Sequence, residues 1–321
     1  MKKTPYFSWA NGNFCTGCRQ CVKGAKLVMF VTGLCSQNCF YCPLSERKYR
    51  KDVICANEWE IKDENSINEI LEEAKMCNSL GAGFTGGDPL MKLSRTIRYI
   101  KTLKKKFGKK FHIHLYAPLP LVTDRKLEQL YKAGLDEIRF HPDFTTAPYK
   151  TFWNKIEHAK RFKWKIGIEI PIIPGYKEKL VELIDYFKDH VDFFNFNEFE
   201  VTGVHAKEIH DMGFSSKDGI SYAAKGSENL ALELMKKYPK LKIHYCTAKL
   251  KDKVQLANRI KRRAKNAKTK YDKVTTEGML VRGVIYLENM KPGFGYHVQL
   301  RKIRENKKQY NAILKVLAQM Q

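Results

Sequence analysis

Between residues 26 and 200 the sequence alternates six times between short apolar runs and longer amphipathic stretches. The apolar runs have strand length and are rich in β-branched and aromatic residues, at 26–33, 83–85, 111–117, 135–141, 165–171 and 193–200. The stretches with helical spacing fall at 64–81, 91–107, 124–133, 148–163 and 177–189. This alternation indicates a parallel sheet. We therefore predict an α/β fold with a partial (β/α)6 TIM-like barrel, and an open doubly wound sheet is the alternative.

The chain after residue 200 is less regular. We predict a helix at 226–237, a strand at 242–246 and a basic helix at 250–267, which could supply a seventh unit. A strand at 279–287, a Gly/Pro turn at 292–295 and a helix at 306–319 would form a small basic appendage. The predicted divisions are a cysteine-rich N-terminal extension, the barrel core, a barrel extension and the appendage, at 1–25, 26–200, 201–270 and 271–321.

Six of the nine cysteines lie between residues 15 and 42, in two triplets. The second triplet, Cys35, Cys39 and Cys42, has the spacing C-x3-C-x2-C and follows the first predicted strand directly. Three thiolates on one tight loop can each bind one iron of a [4Fe–4S] cluster, and the fourth iron then stays open. A structural zinc ion is the alternative, but it would require a fourth Cys or His nearby.

Two further features accompany this triplet. Tyr41 stands just before the third cysteine, and the motif TGGDP at 85–89 follows the second predicted strand. Together with the triplet, these features resemble the radical S-adenosylmethionine (radical SAM) superfamily, where Glu usually stands at the position of Asp88. The resemblance covers residues 26–200 and implies a barrel of the radical SAM type.

The resemblance also implies a set of ligands and roles. Cys35, Cys39 and Cys42 would hold the [4Fe–4S] cluster that cleaves S-adenosylmethionine, and a ferredoxin- or flavodoxin-type protein would reduce it. Gly86, Gly87, Asp88 and Pro89 would grip the methionine end of the cofactor, with the Asp88 carboxylate near its ammonium group, and Tyr41 would lie against the adenine. Further cofactor contacts are expected from the ends of the later strands, at His114, Glu169 and Asn197, with His141, Asn195 and Glu198 as other candidates.

The first triplet, Cys15, Cys18 and Cys21, has the ferredoxin-like spacing C-x2-C-x2-C. An auxiliary iron–sulfur cluster is the natural interpretation, and its fourth ligand must come from elsewhere in the chain. We expect Cys246, which ends a predicted strand and would lie at the same face of the barrel as the cluster loop. Cys55 and Cys77 are the other candidates, although Cys77 is expected to be a packed thiol. A zinc ion, or a cluster with an open iron that binds substrate, remains an alternative.

The chain carries a formal net charge of +25, which favours polyanionic partners such as RNA. Residues 249–270 are strongly basic and could either contact phosphates or pack as a solvated helix on the barrel. No apolar run approaches the roughly 20 residues needed to span a bilayer, so no membrane association is expected. The N-terminus lacks the apolar region of a signal peptide. We therefore expect a cytoplasmic protein, in which clustered cysteines bind metal.

The whole pattern resembles a prokaryotic group related to pyruvate formate-lyase activating enzymes, through the triplets, GAKLVMFVTG, GGDPL, DEIRFHP and EIPIIPG. The resemblance implies an enzyme that abstracts hydrogen from its substrate with a 5′-deoxyadenosyl radical. The basic charge favours RNA, such as tRNA, as that substrate. The alternatives are a protein residue, as in glycyl-radical activation, or a small molecule. A metal-stabilised RNA-binding protein without catalysis is the alternative from another class.

Overall fold

A computed structural model describes residues 1–218 and 221–282 of the chain. The chain forms two compact units. The first comprises residues 1–267 and 276–278, and the second begins with residues 268–275 and resumes at residue 279. Of the predicted appendage, residues 271–282 are described, and they include the start of the strand predicted at 279–287. The predicted turn at 292–295 and helix at 306–319 lie outside the described residues.

The first unit is built on one large sheet. Its strands, in chain order, are β1 Lys2–Lys3, β2 Trp9–Asn11, β3 Lys26–Phe30, β4 Ile54–Ala56, β5 Trp59–Ile61, β6 Gly81–Thr85, β7 His112–Pro118, β8 Glu137–His141, β9 Lys165–Ile172, β10 Phe193–Glu198 and β11 Ile243–Cys246. The spatial order is β1-β2-β11-β10-β9-β8-β7-β6-β3-β4-β5. In the second unit, β12 Asp272–Val274 pairs with β13 Leu280–Arg282 as an antiparallel hairpin.

The α-helices are α1 Thr16–Cys21, α2 Ile67–Met76, α3 Leu93–Phe107, α4 Asp124–Ala133, α5 Lys177–Phe187, α6 Ala206–Asp211, α7 Ser227–Lys237, α8 Ala248–Leu250 and α9 Ala257–Ala267. A π-helical segment, Lys251–Leu256, joins α8 to α9, so that the predicted basic helix is continuous. The predicted helix at 148–163 is a 3₁₀-helix over Tyr149–Arg161. Another 3₁₀ turn, Pro89–Lys92, leads into α3. No helix in the part of the chain that the structure describes has the length and apolar character to cross a bilayer.

The predicted parallel sheet is confirmed. All six predicted strands are present in the predicted order, and β11 adds a seventh parallel strand beside β10. The short antiparallel strands β1, β2, β4 and β5 were not predicted, because runs of two or three residues carry no clear periodicity. Within the described residues the order ends at β1 and at β5, so the sheet is that of a partial barrel, as predicted, and is not closed between these two strands.

Side chains alternate between two sides along the parallel strands. In β7, Ile113 and Leu115 pack into the main hydrophobic core with the surrounding helices, whereas His114 and Tyr116 lie on the opposite side. We call that opposite side the inner face. It is lined by Lys26, His112, His114, Tyr116, Glu137, Arg139, His141, Glu169, Asn195, Asn197 and His244. The fold therefore presents polar and charged groups where a barrel of this class would bind its ligands.

Candidate metal centre

The loop after β3 carries Cys35, Cys39 and Cys42, and each of the three thiols is partly exposed. The backbone N–H of Cys42 donates to the carbonyl of Cys39 at 3.1 Å, which closes a turn between these two residues. Burial raises the pKa of Cys35 to about 11 and that of Cys39 to about 12. These thiols therefore keep their protons until a metal ion displaces them. Three thiols on one accessible loop form a donor set that fits an iron–sulfur cluster.

The glycines of the TGGDP motif allow a second loop to pack tightly against the cysteine loop. Gly86 has φ +151°, and a Cβ atom there would lie 2.3 Å from the carbonyl oxygen of Thr32. The N–H of Gly87 donates to that same oxygen at 2.7 Å. A Cβ on Gly87 would lie 2.3 Å from the carbonyl oxygen of Leu34. Any larger residue at either position would therefore push the two loops apart.

Asp88 fixes the cysteine loop through its side chain. The carboxylate is completely buried and accepts a hydrogen bond from the Ser36 hydroxyl at 2.7 Å and another from the Leu90 N–H at 2.9 Å. Burial raises the pKa of Asp88. Because Ser36 follows Cys35 directly, Asp88 orients the first cysteine of the loop. The expected contact of Asp88 with the methionine ammonium stays a prediction, as does the contact of Pro89, which starts the 3₁₀ turn.

A charged cluster that was not predicted supports the same loop from behind. Arg95 is 8% exposed and donates to Asp52 at 2.6 Å and to the carbonyl oxygen of Val31 at 3.0 Å. Asp52 also accepts from the Thr32 hydroxyl at 2.8 Å, directly beside the Gly86 contact. The hydrogen bond from Arg95 holds the pKa of Asp52 well below its usual range. No sequence spacing pointed to this cluster, because its members are far apart in the chain.

Tyr41 is buried beside the cysteine loop. Its hydroxyl shares a hydrogen bond of 3.0 Å with Nε2 of His141, whose Nδ1 lies 2.9 Å from the carbonyl oxygen of Glu169. The ring stacks on Phe144 with 6.0 Å between ring centroids. These contacts fix the orientation of the Tyr41 ring. Its contact with adenine stays a prediction.

On the inner face, Glu169 and Asn197 lie together, with 3.0 Å between Asn197 Nδ2 and Glu169 Oε1. The other Glu169 oxygen accepts from Arg139 Nη1 at 2.8 Å. Arg139 is almost completely buried and also forms an ion pair of 2.6 Å with Glu137. Arg139 was not among the predicted site residues. Its position between the core residues Ile138 and Phe140 was the available signal, because strand alternation places it on the inner face.

Of the other strand-end candidates, Asn195 lies beside Cys18 of the first triplet. Glu198 is buried and accepts a hydrogen bond of 2.9 Å from the Ala248 N–H at the start of α8. Glu198 therefore stabilises the turn that follows β11.

The first triplet lies against the inner face. Cys15 immediately precedes α1 and Cys18 lies within it, and both are buried. Arg139 Nη2 lies 3.2 Å from the Cys15 sulfur and 3.6 Å from the Cys18 sulfur, and the Cys18 thiol lies 3.6 Å from Asn195 Oδ1. A hydrogen bond with Cys18, together with burial, raises the pKa of the Cys15 thiol far above its usual value. The structure therefore places Cys15 and Cys18 among buried charges, whereas Cys21, the last residue of α1, is partly exposed.

His114 lies at this helix. A Cβ on Gly17 of α1 would lie 2.9 Å from His114 Nδ1. His114 is 1% exposed, and its Nε2 shares a hydrogen bond of 3.0 Å with the Tyr116 hydroxyl. Its Nδ1 has no hydrogen-bond partner among the described residues, and burial lowers the pKa of the ring well below its usual range. An unpaired buried nitrogen beside α1, the helix that carries Cys18 and Cys21, fits a site for a bound group. The predicted S-adenosylmethionine contact of His114 stays a prediction.

Cys246, the expected fourth ligand, ends β11 and packs against Val22, which directly follows α1. Burial raises the pKa of Cys246 to about 12, and the charge of Cys21 adds to that rise. Cys77 is fully buried and donates to Glu73 at 3.2 Å within its own helical turn. Cys55 is buried in β4, paired with β3. Of the three candidates, Cys246 therefore has the direct packing contact with the end of α1.

Among residues 1–218 and 221–282, no three His, Cys, Asp or Glu side chains converge around one point closely enough to hold a single metal ion. A zinc site requires such convergence. Each cysteine of a [4Fe–4S] cluster binds a different iron, so its ligands are spaced more widely. The assignment of each triplet to a cluster stays a prediction.

The arginines of the basic helix face the chain itself. Arg263 forms an ion pair of 3.0 Å with Glu73, and Arg262 donates to the carbonyl oxygen of Cys77 at 2.8 Å. Arg259 forms an ion pair with Glu58. These three arginines therefore stabilise the packing of α9 on α2 and on the turn between β4 and β5.

Comparisons with known proteins show which family this chain resembles. The model of the family described as "Radical SAM superfamily" matches residues 29–187. A protein of Methanocaldococcus jannaschii named "Putative glycyl-radical enzyme activating enzyme MJ0021" is 42% identical over 280 residues, which cover 85% of this chain and 74% of the relative.

Two solved structures have a similar chain trace. Streptococcus suis SuiB bound to precursor peptide SuiA has a TM-score of 0.47 at 16% identity, covering 70% of this chain and 48% of that one. HydG, a maturase of the [FeFe]-hydrogenase, has a TM-score of 0.49 at 12% identity, covering 77% of this chain and 65% of that one. The chain thus spans about half of SuiB and about two thirds of HydG. At these scores and identities the two structures carry no argument about the reaction.

Proposed function

The chain belongs to the radical SAM superfamily, and from that membership we propose that it activates a partner protein by abstracting a hydrogen atom from one of its residues. Membership rests on 42% identity across 85% of the chain. The chain is therefore a radical SAM enzyme that uses a [4Fe–4S] cluster and S-adenosylmethionine. When bound, these two groups supply the electron and the carbon–sulfur bond from which a 5′-deoxyadenosyl radical arises.

We assign the cluster to Cys35, Cys39 and Cys42, and the surrounding residues keep these thiols in place. The Asp88 carboxylate holds Ser36, the Asp88 N–H donates to the carbonyl of Leu34, and the Gly87 N–H donates to the carbonyl of Thr32. Buried hydrogen bonds of this kind orient metal ligands and are expected to raise metal affinity. The chain contributes no fourth thiol to this loop, which leaves a position for the cofactor.

We assign S-adenosylmethionine to the region between this loop and the inner face. Gly86, Gly87, Asp88 and Pro89 are the proposed contacts at its methionine end, and Tyr41 is the proposed contact for its adenine. Glu169 and Asn197 form a hydrogen-bonded pair that can accept and donate hydrogen bonds at once. His114 remains the least direct of the proposed contacts, because it adjoins α1.

The proposal of a protein substrate rests on one observation: the Methanocaldococcus jannaschii relative, whose name is that of a glycyl-radical enzyme activating enzyme. The comparisons give no support to an RNA substrate. The RNA expectation came from the net charge and from the basic residues 249–270, and two arginines of that stretch, Arg262 and Arg263, are bonded to the chain's own acceptors. A protein residue, such as the glycine of a glycyl-radical enzyme, is therefore the favoured hydrogen donor, and a ferredoxin or flavodoxin is the proposed reductant.

We further propose an auxiliary iron–sulfur cluster on Cys15, Cys18 and Cys21, with Cys246 as its fourth ligand. The unpaired His114 Nδ1 beside α1 and the packing of Cys246 against Val22 support this assignment. The proposed domain division assigns residues 1–25 to this second site, 26–200 to the catalytic core and 201–270 to the extension that supplies Cys246. Residues 271–321 remain the proposed appendage.

Deuterium transfer tests the substrate class directly. Cells of the source organism are grown in deuterated medium, and protein, RNA and small-molecule fractions are each incubated with reconstituted enzyme, dithionite and S-adenosylmethionine. Hydrogen abstraction moves deuterium from the substrate into 5′-deoxyadenosine, which mass spectrometry detects. We expect deuterium from the protein fraction alone. Deuterium from the RNA or small-molecule fraction would overturn the proposal.

A further inference from the structure

We propose that Arg139 is a positioning residue for the auxiliary cluster, where it donates hydrogen bonds to the sulfurs of Cys15 and Cys18 and raises the reduction potential of the cluster. This inference rests on the auxiliary site proposed above. It names the protein group that sets the reduction potential of that cluster. The same guanidinium also reaches Glu169, a proposed S-adenosylmethionine contact.

The geometry of Arg139 is fixed from several sides. Its Nη2 pairs with Glu137 Oε1 at 2.6 Å and lies 3.2 Å from the Cys15 sulfur and 3.6 Å from the Cys18 sulfur, so one N–H meets the carboxylate and the other is left for the sulfurs. Its Nε donates to Glu137 at 2.8 Å and its Nη1 donates to Glu169 at 2.8 Å. The side chain is 2% exposed. A guanidinium held by two carboxylates keeps its planar fork in one orientation, so Nη2 remains directed at the two sulfurs.

The cysteine helix is shaped to receive this guanidinium. A Cβ on Gly17 would lie 2.3 Å from Arg139 Nη2 and 2.8 Å from Glu137 Oε1. The Gly17 N–H also donates to Glu137 Oε2 at 3.3 Å. Glycine at this position therefore lets α1 approach the Arg139–Glu137 pair closely enough for the cysteine sulfurs to meet Nη2. A side chain there would displace the guanidinium or lift the helix.

The positive charge of Arg139 should stabilise the reduced form of the cluster. Reduction adds one negative charge to an iron–sulfur cluster, and hydrogen bonds to its sulfurs stabilise the reduced form. A buried cation acts strongly because the surrounding low-dielectric interior screens it little. Removing Arg139 should therefore favour the oxidised cluster, and replacing it with lysine should keep the charge but lose the directed hydrogen bonds.

The test uses the full chain with Cys35, Cys39 and Cys42 all changed to alanine, so that only the auxiliary cluster contributes to the spectrum. Arg139→Gln, Arg139→Lys and Gly17→Ala are introduced separately into this protein, and each variant is titrated with EPR detection. We expect Arg139→Gln to change the ratio of reduced to oxidised cluster at least tenfold towards oxidised, or about 59 mV for a one-electron couple. Arg139→Lys and Gly17→Ala should shift it less, in the same direction.

Arg95→Gln is the matched control, because Arg95 is also buried between two carboxylates but contacts no cysteine. It should leave the auxiliary potential unchanged. If Gly17→Ala and Arg139→Lys retain iron and show the parent potential, the inference is wrong, even if Arg139→Gln fails to fold. If the protein with Cys35, Cys39 and Cys42 changed to alanine binds no cluster at all, both this inference and the auxiliary site are wrong. The S-adenosylmethionine chemistry is tested separately, by formation of 5′-deoxyadenosine with the wild-type protein.

Discussion

The two cysteine triplets use the same side chain in opposite surroundings. Cys35, Cys39 and Cys42 are partly exposed on a loop, and this loop is positioned mainly by backbone contacts and by Asp88. Cys15 and Cys18 are buried, and their neighbours are the charged side chains of the inner face. The comparison shows that the surroundings, more than the cysteines themselves, distinguish a site open to a small molecule from an enclosed one.

The difference has a chemical consequence. A cluster that must bind a cofactor needs a ligand position that the protein leaves open, and an accessible loop provides it. A cluster enclosed by fixed charges exchanges ligands with difficulty, but its potential can be set by its neighbours. We therefore assign cofactor cleavage to the exposed triplet and an electronic or anchoring role to the buried one.

The largest expected effect is a difference in 5′-deoxyadenosine formation between variants of the two triplets. Changing Cys35, Cys39 and Cys42 together to alanine should reduce 5′-deoxyadenosine formation to the level of a protein-free blank, because no thiolate remains on the cluster loop. The matched variant, with Cys15, Cys18 and Cys21 changed to alanine, should still form 5′-deoxyadenosine with dithionite as reductant. Chromatographic product assay measures both. Equal loss in the two variants would remove the distinction between them.

Asp88→Ala should raise the iron concentration needed to reconstitute the Cys35, Cys39 and Cys42 site about tenfold or more. The change removes the buried acceptor of Ser36 and Leu90, and a hydrogen bond to a charged group contributes about 1.5–3 kcal/mol. Iron titration followed by absorbance measures the effect in the variant that lacks the first triplet. Ser36→Ala, which removes one of the two donors, should weaken iron binding less. An unaltered titration for Asp88→Ala would show that the carboxylate does not position the loop.

Loss of the fourth ligand of the first triplet should lower the iron content of the protein about twofold. Two [4Fe–4S] clusters hold about eight irons per chain, and Cys246→Ala should lower this to about four. Cys77→Ala is the control, because it also removes a buried thiol but one that is bonded within its own helix. If the iron content and spectrum of Cys246→Ala match those of the wild type, Cys246 is not a ligand.

The smallest expected effect is a change in the unfolding free energy at low pH. The hydrogen bond from Arg95 lowers the folded-state pKa of Asp52 below the unfolded value of about 3.9. Stability from this carboxylate is therefore present above about pH 4 and is lost as the pH falls towards the folded value. The difference in unfolding free energy between wild type and Asp52→Asn, measured with urea, should narrow below about pH 4. A difference that stays constant with pH would contradict this role for Asp52.

The sequence predicted the sheet well because its signals are local. Alternation of apolar runs and helical stretches identified six parallel strands in the correct order. The triplet spacing and the TGGDP motif predicted a site on two loops, and the structure brings these loops into contact. The three-residue strands β4 and β5 were missed because they are too short to show a period.

The buried site was predicted only in part because its contacts join distant residues. Arg139 meets Cys15 across more than a hundred positions, and Arg95 meets Asp52 across more than forty. No spacing rule links such pairs. Strand alternation could have placed Arg139 on the inner face, but only the docking of α1 shows that the cysteines lie against it.

EPR spectroscopy of the reduced wild-type protein, with and without S-adenosylmethionine, tests the central claim most directly. The account predicts two cluster signals. S-adenosylmethionine should change only the signal that is lost when Cys35, Cys39 and Cys42 are alanine, and leave the signal of the Cys15, Cys18 and Cys21 site as it was. A cofactor-dependent change in the signal of the buried triplet, or no change in either signal, would contradict it.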